Sequence, residues 1–231
     1  MAFFKTLTNE TEAARRVLFS APIIEKSLTG DITLDDYVAF LEQAYHHVKH
    51  TIPLLMSVGA RLPEDKEWLR EAVAEYIEEE LGHQEWILND IAACGYDKEA
   101  VRNSTSNSST ELMVAYAYDM VNRVNPLGFF GMVQVLEGTS VSIAEKAADK
   151  IRSALSLPKE AFSYLYSHGS LDQGHIKFFE NLMNQIEDSR EQEQIIHAAN
   201  MFYRLYGDMF RSINGNHGIP HMTYKGIKDA A

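Results

Sequence analysis

Apolar residues along the 231-residue chain recur mostly at three- and four-residue spacing, and strict two-residue alternation is almost absent. This periodicity is typical of amphipathic helices and predicts an all-α protein. Seven helices are expected, at about 10–28, 33–59, 64–94, 110–123, 126–155, 158–187 and 188–213. Together they would form a single helical bundle domain over residues 1–213, followed by an irregular tail over 214–231.

Residues that favour the first or last turn of a helix support several of these boundaries. Thr33 precedes an acidic first turn and is suited to be an N-cap, and Gly95 can take the left-handed conformation that ends a helix. Pro53 predicts a kink in the second helix. The run 103–110 consists of Asn, Ser and Thr residues, so it is expected to be a loop between two helical halves.

The charge balance narrows the range of partners. The chain has 21 Lys+Arg against 33 Asp+Glu, a net charge of −12, and its longest basic cluster is the pair Arg15-Arg16. This balance argues against nucleic acid and against an anionic membrane surface. Cys94 is the single cysteine, which excludes an internal disulfide framework, and neither a leader nor an apolar run near 18 residues is visible. We therefore expect a soluble, cytoplasmic protein.

The helix expected at 158–187 carries metal-ligand residue types in its apolar stripe. His168, Asp172 and His175 occupy three consecutive positions of the stripe. At 3.6 residues per turn they fall within roughly 60° of one another, so their side chains converge. An ionisable group that faces a core must be paired, neutralised or bound to a metal.

Two other helices add carboxylates and a further imidazole. Glu80 and His83 form a Glu-x-x-His pair in the stripe of the third helix, a spacing that lets both share a metal in carboxylate bundles. Glu137 lies in a segment that is apolar nearly all round, and is therefore expected to be central. Glycines adjoin four of the candidate ligands and suggest close helix approach there; they are Gly82, Gly138, Gly169 and Gly174.

Each candidate ligand, taken alone, could instead have a purely structural role. A lone inward histidine is usually a hydrogen-bonded core residue, and Glu80 could belong to a solvated acidic face. For the whole set, a structural ion-pair network would need Lys or Arg on the same faces, and the sequence has none there. Three carboxylates and three imidazoles suit iron, or alternatively manganese, better than structural zinc. Two divalent ions against three carboxylates leave a net charge of +1.

Four more residues have other expected roles. His47 also lies on an inward stripe, where it is either an additional ligand or a substrate contact. His46 and His50 are turned about 100° from that stripe and are expected to be mainly structural. Cys94 stands at a helix end with no neighbouring base in the sequence, so we expect an inert thiol.

The chain resembles the haem-oxygenase-like helical superfamily that includes TenA thiaminases, PqqC-type oxidases, the chlamydial CADD protein and di-iron oxidases. The segment 40–47 resembles the second-helix signature of that superfamily. The more specific resemblance is the combination of Glu80 and His83, the lone Glu137, and the late His-x3-Asp-x2-His at 168–175, which is similar to the metal-binding pattern of the di-iron branch. The resemblance covers nearly all of residues 10–213.

The departures from the family patterns also carry information. TenA thiaminases use an aspartate and a nucleophilic cysteine, whereas this chain has Ala44 at the matching second-helix position and no cysteine near Glu137. Thiaminase activity is therefore disfavoured. The di-iron oxidases usually carry another glutamate on the second helix, where this chain offers His47, and some members place a carboxylate where it has Tyr76.

The resemblance implies an oxidoreductase with two irons per chain and dioxygen as co-substrate, acting on a small organic metabolite, with Glu137 bridging the ions. Two enzymatic or binding alternatives remain: a metal-free PqqC-like oxidase that uses the histidines on a quinone-like intermediate, and a haem or tetrapyrrole binding bundle with His47 or His50 as axial ligand. A non-catalytic interaction bundle is the last alternative. Relatives are often dimers, and the aromatic-rich final helix favours a homodimer.

Overall fold

Helices make up most of the computed structural model, which describes residues 2–170 and 172–213 but no side chain of residues 168–175. No β-strand occurs in these two ranges, and the all-α prediction is confirmed. The α-helices in chain order are α1 (Phe3–Phe19), α2 (Pro22–Thr29), α3 (Leu34–Val48), α4 (Thr51–Arg61), α5 (Glu67–Glu80), α6 (His83–Ala93), α7 (Lys98–Arg102), α8 (Ser108–Asp119), α9 (Phe129–Leu155), α10 (Ser163–Ser170), α11 (Asp172–Met183) and α12 (Ser189–Ser212).

The described residues form twelve α-helices rather than the predicted seven, because four predicted helices each correspond to two and α7 was not predicted. The first divides at Ala21, which is extended because the residue before a proline is kept out of the helical region. The second divides at Lys49 and His50, since Pro53 lacks an N–H and its ring clashes with the carbonyl four residues earlier. Thr33 caps α3 through a reciprocal pair of hydrogen bonds with Asp36, as predicted.

The division of the third predicted helix falls inside the candidate ligand pair. Leu81 is extended and Gly82 has a left-handed backbone with φ of 91°, so α5 ends at Glu80 and α6 begins at His83. The sequence predicted one continuous helix here, because the apolar stripe continues across residues 81 and 82. At the other end of α6, Gly95 has φ of 86°, which confirms the predicted left-handed conformation.

The second half of the chain follows the prediction more closely. Asn107 caps α8, so the polar loop is shorter than expected, and α7 was not predicted. The helices α9 and α12 match their predicted ranges within three residues. The predicted helix at 158–187 comprises a 3-10 turn followed by α10 and α11, which lie on either side of residue 171. The tail at 214–231 lies outside the described residues, and the proposed domain division stays a prediction.

The long helix α9 is the centre of the bundle. It packs against α2, α10, α11 and α12. Gly131 permits the close approach of α12, because a Cβ atom there would lie 2.6 Å from the backbone N of Ala199. By length and composition alone, Pro126–Leu155 could also cross a membrane, but 56% of its most apolar window is buried, as in the core helix of a soluble protein.

Candidate metal site

A small, partly open cavity lies beside the middle of α9 and is lined by three of the predicted site residues, His47, Glu80 and Glu137. Its volume is about 70 Å³, and apolar side chains form most of its wall. No lysine or arginine occurs among its described lining residues. The remaining ones are Val48, Thr51, Leu55, Tyr76, Phe129, Met132, Val133, Leu136, Ser140, Tyr164 and Tyr206. We call this space the metal cavity.

Glu80 and His83 contact each other across the helix break. The Oε2 atom of Glu80 lies 2.9 Å from Nδ1 of His83, whose side chain is 4% exposed, against 20% for that of Glu80. The imidazole also packs on the indole ring of Trp86, with ring centroids 4.2 Å apart. Glu80 reaches the metal cavity directly, whereas the described wall does not include His83 or the neighbouring Glu79.

Glu137 enters the site from α9, opposite α5. It lines both the metal cavity and a second opening that Arg15, Ile176 and Phe179 also line. Glu137 is half-buried and stands in the helix where the apolar pattern predicted a central carboxylate. Its placement brings carboxylates from α5 and α9 to one cavity.

Tyr76 connects the two carboxylates electrostatically. Burial raises its pKa, and the negative charges of Glu137, Glu79 and Glu80 raise it further. The phenol is 3% exposed, and its hydroxyl has no hydrogen-bond partner among the described residues. A phenol in this position stays protonated and can donate a hydrogen bond to a group bound in the metal cavity.

His47 reaches the same cavity from the end of α3. It is 2% exposed, and its ring packs edge-to-face on Tyr206 with centroids 5.7 Å apart. His46 and His50 face a different, more open cavity instead, as their helical phase predicts. His46 Nε2 lies 2.9 Å from the hydroxyl of Ser104, and His50 Nδ1 lies 3.1 Å from that of Tyr118.

The side chains of His168, Asp172 and His175 lie outside the described residues, so their predicted convergence stays a prediction. The backbone does place their helices near the site, because α10 packs against α6 and α9, and α11 packs against α9. Tyr164, one turn before His168, lines the metal cavity. Among the side chains that are described, no three His, Cys, Asp or Glu residues are grouped closely enough to hold a metal ion.

Gly82 and Gly138 show no close helix approach among the described residues, contrary to the expectation. A Cβ atom on either glycine would meet no described atom within 4 Å. Gly82 is required for its positive φ. Gly169 and Gly174 lie in the segment whose side chains are not described. Cys94 is buried, and burial raises its thiol pKa to about 12, as suits an inert residue.

Three tyrosines and a serine of the cavity wall, Tyr76, Tyr164, Tyr206 and Ser140, were not predicted as site residues. Tyr76 did stand in the same apolar stripe as Glu80, one turn before it, which is the signal that could have identified it. Tyr206 was hidden in the aromatic-rich last helix. Such residues are indistinguishable from core residues until the neighbouring helices are in place.

The fold and the site define an all-helical bundle of the haem-oxygenase-like class. The chain belongs to the family described as iron-containing redox enzyme, which its residues 38–207 match. The match extends from α3 to α12 and includes every candidate ligand. No curated protein is significantly similar in sequence.

Solved structures confirm the fold class. A domain of unknown function with a haem-oxygenase-like fold from Shewanella denitrificans superposes with a TM-score of 0.80 at 22% identity, covering 92% of each chain. A TenA homologue from Pseudomonas syringae gives 0.78 at 12% identity, again over 92% of each chain. Haem oxygenase-1 of Synechocystis, solved with haem, gives 0.73 at 12% identity over 94% of each chain.

A haem group does not fit the metal cavity. Pockets for ligands of ordinary size measure about 300–1,000 Å³, several times the 70 Å³ of this cavity. A porphyrin in this cavity would also lie in contact with the carboxylates of Glu80 and Glu137. The donor set of carboxylates and imidazoles instead suits hard or borderline divalent ions such as iron and manganese.

Proposed function

We propose that the protein is a non-haem iron oxidase or oxygenase that holds two irons per chain and uses dioxygen to oxidise a small organic molecule. The observation that carries this proposal is the convergence of Glu80, Glu137 and His47, from three parts of the bundle, on one small cavity. Membership of an iron-containing redox family supports the choice of metal. Manganese is the alternative with the same ligand preference.

Six residues would hold the metal: Glu80, His83, Glu137, His168, Asp172 and His175. Bound iron would supply the electrons that reduce dioxygen, which is chemistry that no side chain provides. The Glu80–His83 contact would orient the imidazole. Tyr76 would hold a proton at its hydroxyl oxygen, within reach of a group bound between the two glutamates.

Iron stoichiometry tests this proposal. The protein would be reconstituted anaerobically with ferrous iron and analysed for metal, beside Glu80→Gln, Glu137→Gln and His175→Ala variants. We expect close to two irons per chain in the parent and at most about one in each variant, because each loses a ligand. The matched controls are Glu78→Gln, an exposed carboxylate on α5, and His197→Ala, an exposed imidazole on α12, and both should keep the parental value.

Absence of specific iron from the folded parent would overturn the proposal and favour the metal-free PqqC-like oxidase. Circular dichroism of every variant separates loss of a ligand from loss of fold. A Soret band in the purified protein would instead favour the tetrapyrrole alternative. Full iron content in all three ligand variants would show that the metal lies elsewhere.

We further propose that the protein is a cytoplasmic homodimer, with an interface that the aromatic residues of α12 do not supply. The aromatic residues of α12 are buried within the chain, including Phe202, Tyr203, Tyr206 and Phe210. They pack against α1, α8 and α9, so they leave no large apolar face for a second copy. Sedimentation of the purified protein measures the oligomeric state directly.

A further inference from the structure

The open cavity that His46 and His50 face is separate from the metal cavity, because the two share no described lining residue. Its volume is about 460 Å³, within the range of about 300–1,000 Å³ that is usual for ligand pockets. The end of α3, the turn after it and the α7–α8 loop supply most of the wall, including Lys49 and Ser104, and α8 adds Glu111. All but one of the described lining side chains are polar. We call this space the lysine cavity.

Lys49 has an imidazole as its partner in the lysine cavity, rather than a carboxylate. Its Nζ atom lies 3.1 Å from Nδ1 of His46 and 5.2 Å from the ring centroid of Tyr45. Within the described part of the chain Lys49 forms no ion pair, whereas Lys66 pairs with Glu191 at 2.8 Å. Burial lowers the pKa of Lys49, so this amine is neutral, and hence nucleophilic, more often than that of an exposed lysine.

A chain of hydrogen bonds connects Lys49 to a buried carboxyl group. Nε2 of His46 lies 2.9 Å from the hydroxyl oxygen of Ser104, and that oxygen lies 3.2 Å from Oε1 of Glu42. The hydroxyl oxygen is also 2.9 Å from the carbonyl oxygen of Val101, a second acceptor for its proton. His46 and Glu42 are 2% and 5% exposed, so water does not replace these bonds. The three side chains beyond Lys49 form a relay that starts at its amine.

The relay keeps its hydrogen bonds in two arrangements of its protons. In the first, Lys49 is an ammonium that donates to the imidazole, whose Nε2–H donates to Ser104; the serine hydroxyl in turn donates to ionised Glu42. In the second, each proton has moved one step along, which leaves a neutral amine, the other imidazole tautomer and a protonated carboxyl. Burial raises the pKa of Glu42 to about 7, so this carboxyl can accept a proton near neutral pH. The relay can therefore remove a proton from the amine and return it.

We propose that Lys49 is a reactive lysine that binds a small polar aldehyde in the lysine cavity as an imine. The neutral amine nitrogen bonds to the carbonyl carbon, and the carbinolamine that forms loses its hydroxyl group as water when the relay returns the proton. Overall, the ammonium and the aldehyde give a protonated imine and one water, with no change in charge and no oxidant or reductant. The polar wall favours an aldehyde that carries hydroxyl groups. This inference does not rest on the proposed iron site.

Reductive trapping measures imine formation at each lysine separately. The purified protein would be incubated at neutral pH with glyceraldehyde and enough cyanoborohydride that imine formation limits the rate, and each modified lysine would be quantified by peptide mass spectrometry. We expect Lys49 to react about tenfold faster than the exposed Lys5, Lys146 and Lys150, and its rate alone to saturate with aldehyde concentration. A rate at Lys49 that equals theirs, or that does not saturate, would overturn the proposal.

Propanal tests the polarity of the ligand, because it has the same three carbons as glyceraldehyde without the hydroxyl groups. The preference of the reagent for Lys49 over Lys5 should be about fivefold greater with glyceraldehyde than with propanal, since hydroxyl groups can bond to the polar wall. An equal preference with the two aldehydes would overturn the assignment to polar aldehydes.

Variants test the nucleophile and the relay. Lys49→Arg keeps the charge but removes the amine, so saturable labelling should disappear from the protein; its persistence at another lysine would overturn the proposal. Glu42→Gln and His46→Gln interrupt the relay and should lower the maximum labelling rate of Lys49 about fivefold. Glu78→Gln, an exposed carboxylate exchange on α5, should leave that rate unchanged.

Glu42→Gln also separates proton transfer from a structural role. Glu42 does not belong to the described cavity wall, so the half-saturating concentration of glyceraldehyde should stay within about twofold while the maximum rate falls. Circular dichroism and the unchanged rates at Lys5 and Lys146 would show that the fold is intact. A parental maximum rate in this variant, or an effect on half-saturation alone, would overturn the relay.

Discussion

Glu80 and His83 lie in contact, 2.9 Å from Oε2 to Nδ1, although Glu80 is the last residue of α5 and His83 the first of α6. The extended Leu81 and the left-handed Gly82 between them set the direction in which α6 leaves α5. The Glu-x-x-His pair is therefore held by a turn of fixed geometry rather than by a continuous helix. The contact depends on a backbone conformation that glycine adopts without strain.

Gly82→Ala should weaken both the fold and the metal site. An L-residue in the left-handed region costs about 1–2 kcal/mol, so the free energy of unfolding in urea should fall by that amount. Iron affinity should fall as well, because the strained turn no longer holds His83 against Glu80. An alanine variant with parental stability and full iron content would contradict this account of the turn.

Gly138→Ala should have the opposite effect on stability. Gly138 lies inside α9, and a Cβ atom there would meet no atom of the described residues within 4 Å. Replacing an interior helical glycine with alanine is worth up to about 1 kcal/mol when space allows, so the free energy of unfolding should rise. Thermal unfolding of the metal-free variant measures this. A loss of stability would show that α9 does need close approach at this residue, as the sequence analysis expected.

The sequence predicted the elements of the bundle better than their interruptions. Apolar spacing located α9 and α12, because these helices bury a continuous stripe along their whole length. The same spacing continued through Gly82, since α5 and α6 both bury residues against the core on either side of the turn. Periodicity reports which residues are buried, and a stripe can stay buried while the backbone changes direction.

The candidate site was predictable only in part. Glu80, Glu137 and His47 interrupted apolar stripes, and the structure brings all three to one cavity. The roles of His168, Asp172 and His175 stay predictions, as does the presence of two irons. Tyr76 stood in the same stripe as Glu80, but its role was not predictable, because a tyrosine in an apolar stripe is an ordinary core residue unless its hydroxyl lacks a partner among the described residues. Only the three-dimensional structure shows such a hydroxyl.

Asp90→Ala should destabilise the protein by about 2–3 kcal/mol. Asp90 is completely buried on α6 and accepts hydrogen bonds from the backbone N–H groups of Ser163 and Tyr164, at 3.0 and 2.9 Å, and from the Ser163 hydroxyl. It thus caps the start of α10, which carries Tyr164 and His168. Removing it leaves the buried N–H of Tyr164 without an acceptor at a helix N-terminus and also removes the acceptor of Ser163.

Asp97→Ala is the matched control for Asp90. Asp97 also accepts two backbone N–H bonds, from Glu99 and Ala100 at the start of α7, but this helix is short and lies nearer the surface. Its loss should cost about 1 kcal/mol or less. Urea unfolding measures the loss of stability in both variants. Equal losses would contradict the capping role of Asp90.

Glu42 should make the stability of the metal-free protein fall as pH rises. The carboxyl is 5% exposed, and burial raises its pKa to about 7, although a hydrogen bond from Ser104 lowers it in part. Below pH 4.5 the group is protonated in both the folded and the unfolded chain. Between pH 4.5 and 7 the unfolded chain loses this proton first, so deprotonation stabilises the unfolded state. Above pH 7 the penalty is complete, at most about 3 kcal/mol for a shift of this size.

Glu42→Gln isolates this contribution, because the amide can still accept the bond from Ser104 but does not titrate. The neighbouring His46 does not interfere, since burial and the nearby charges of Lys49 and His50 lower its pKa to about 4 and keep it neutral across the window. The difference in unfolding free energy between variant and parent should grow from pH 4.5 to 7, in favour of the variant, and then stay constant. Glu78→Gln, an exposed exchange of the same charge, should show no such growth. A constant difference for Glu42→Gln over the whole range would mean that the buried carboxyl ionises as readily as it does in water.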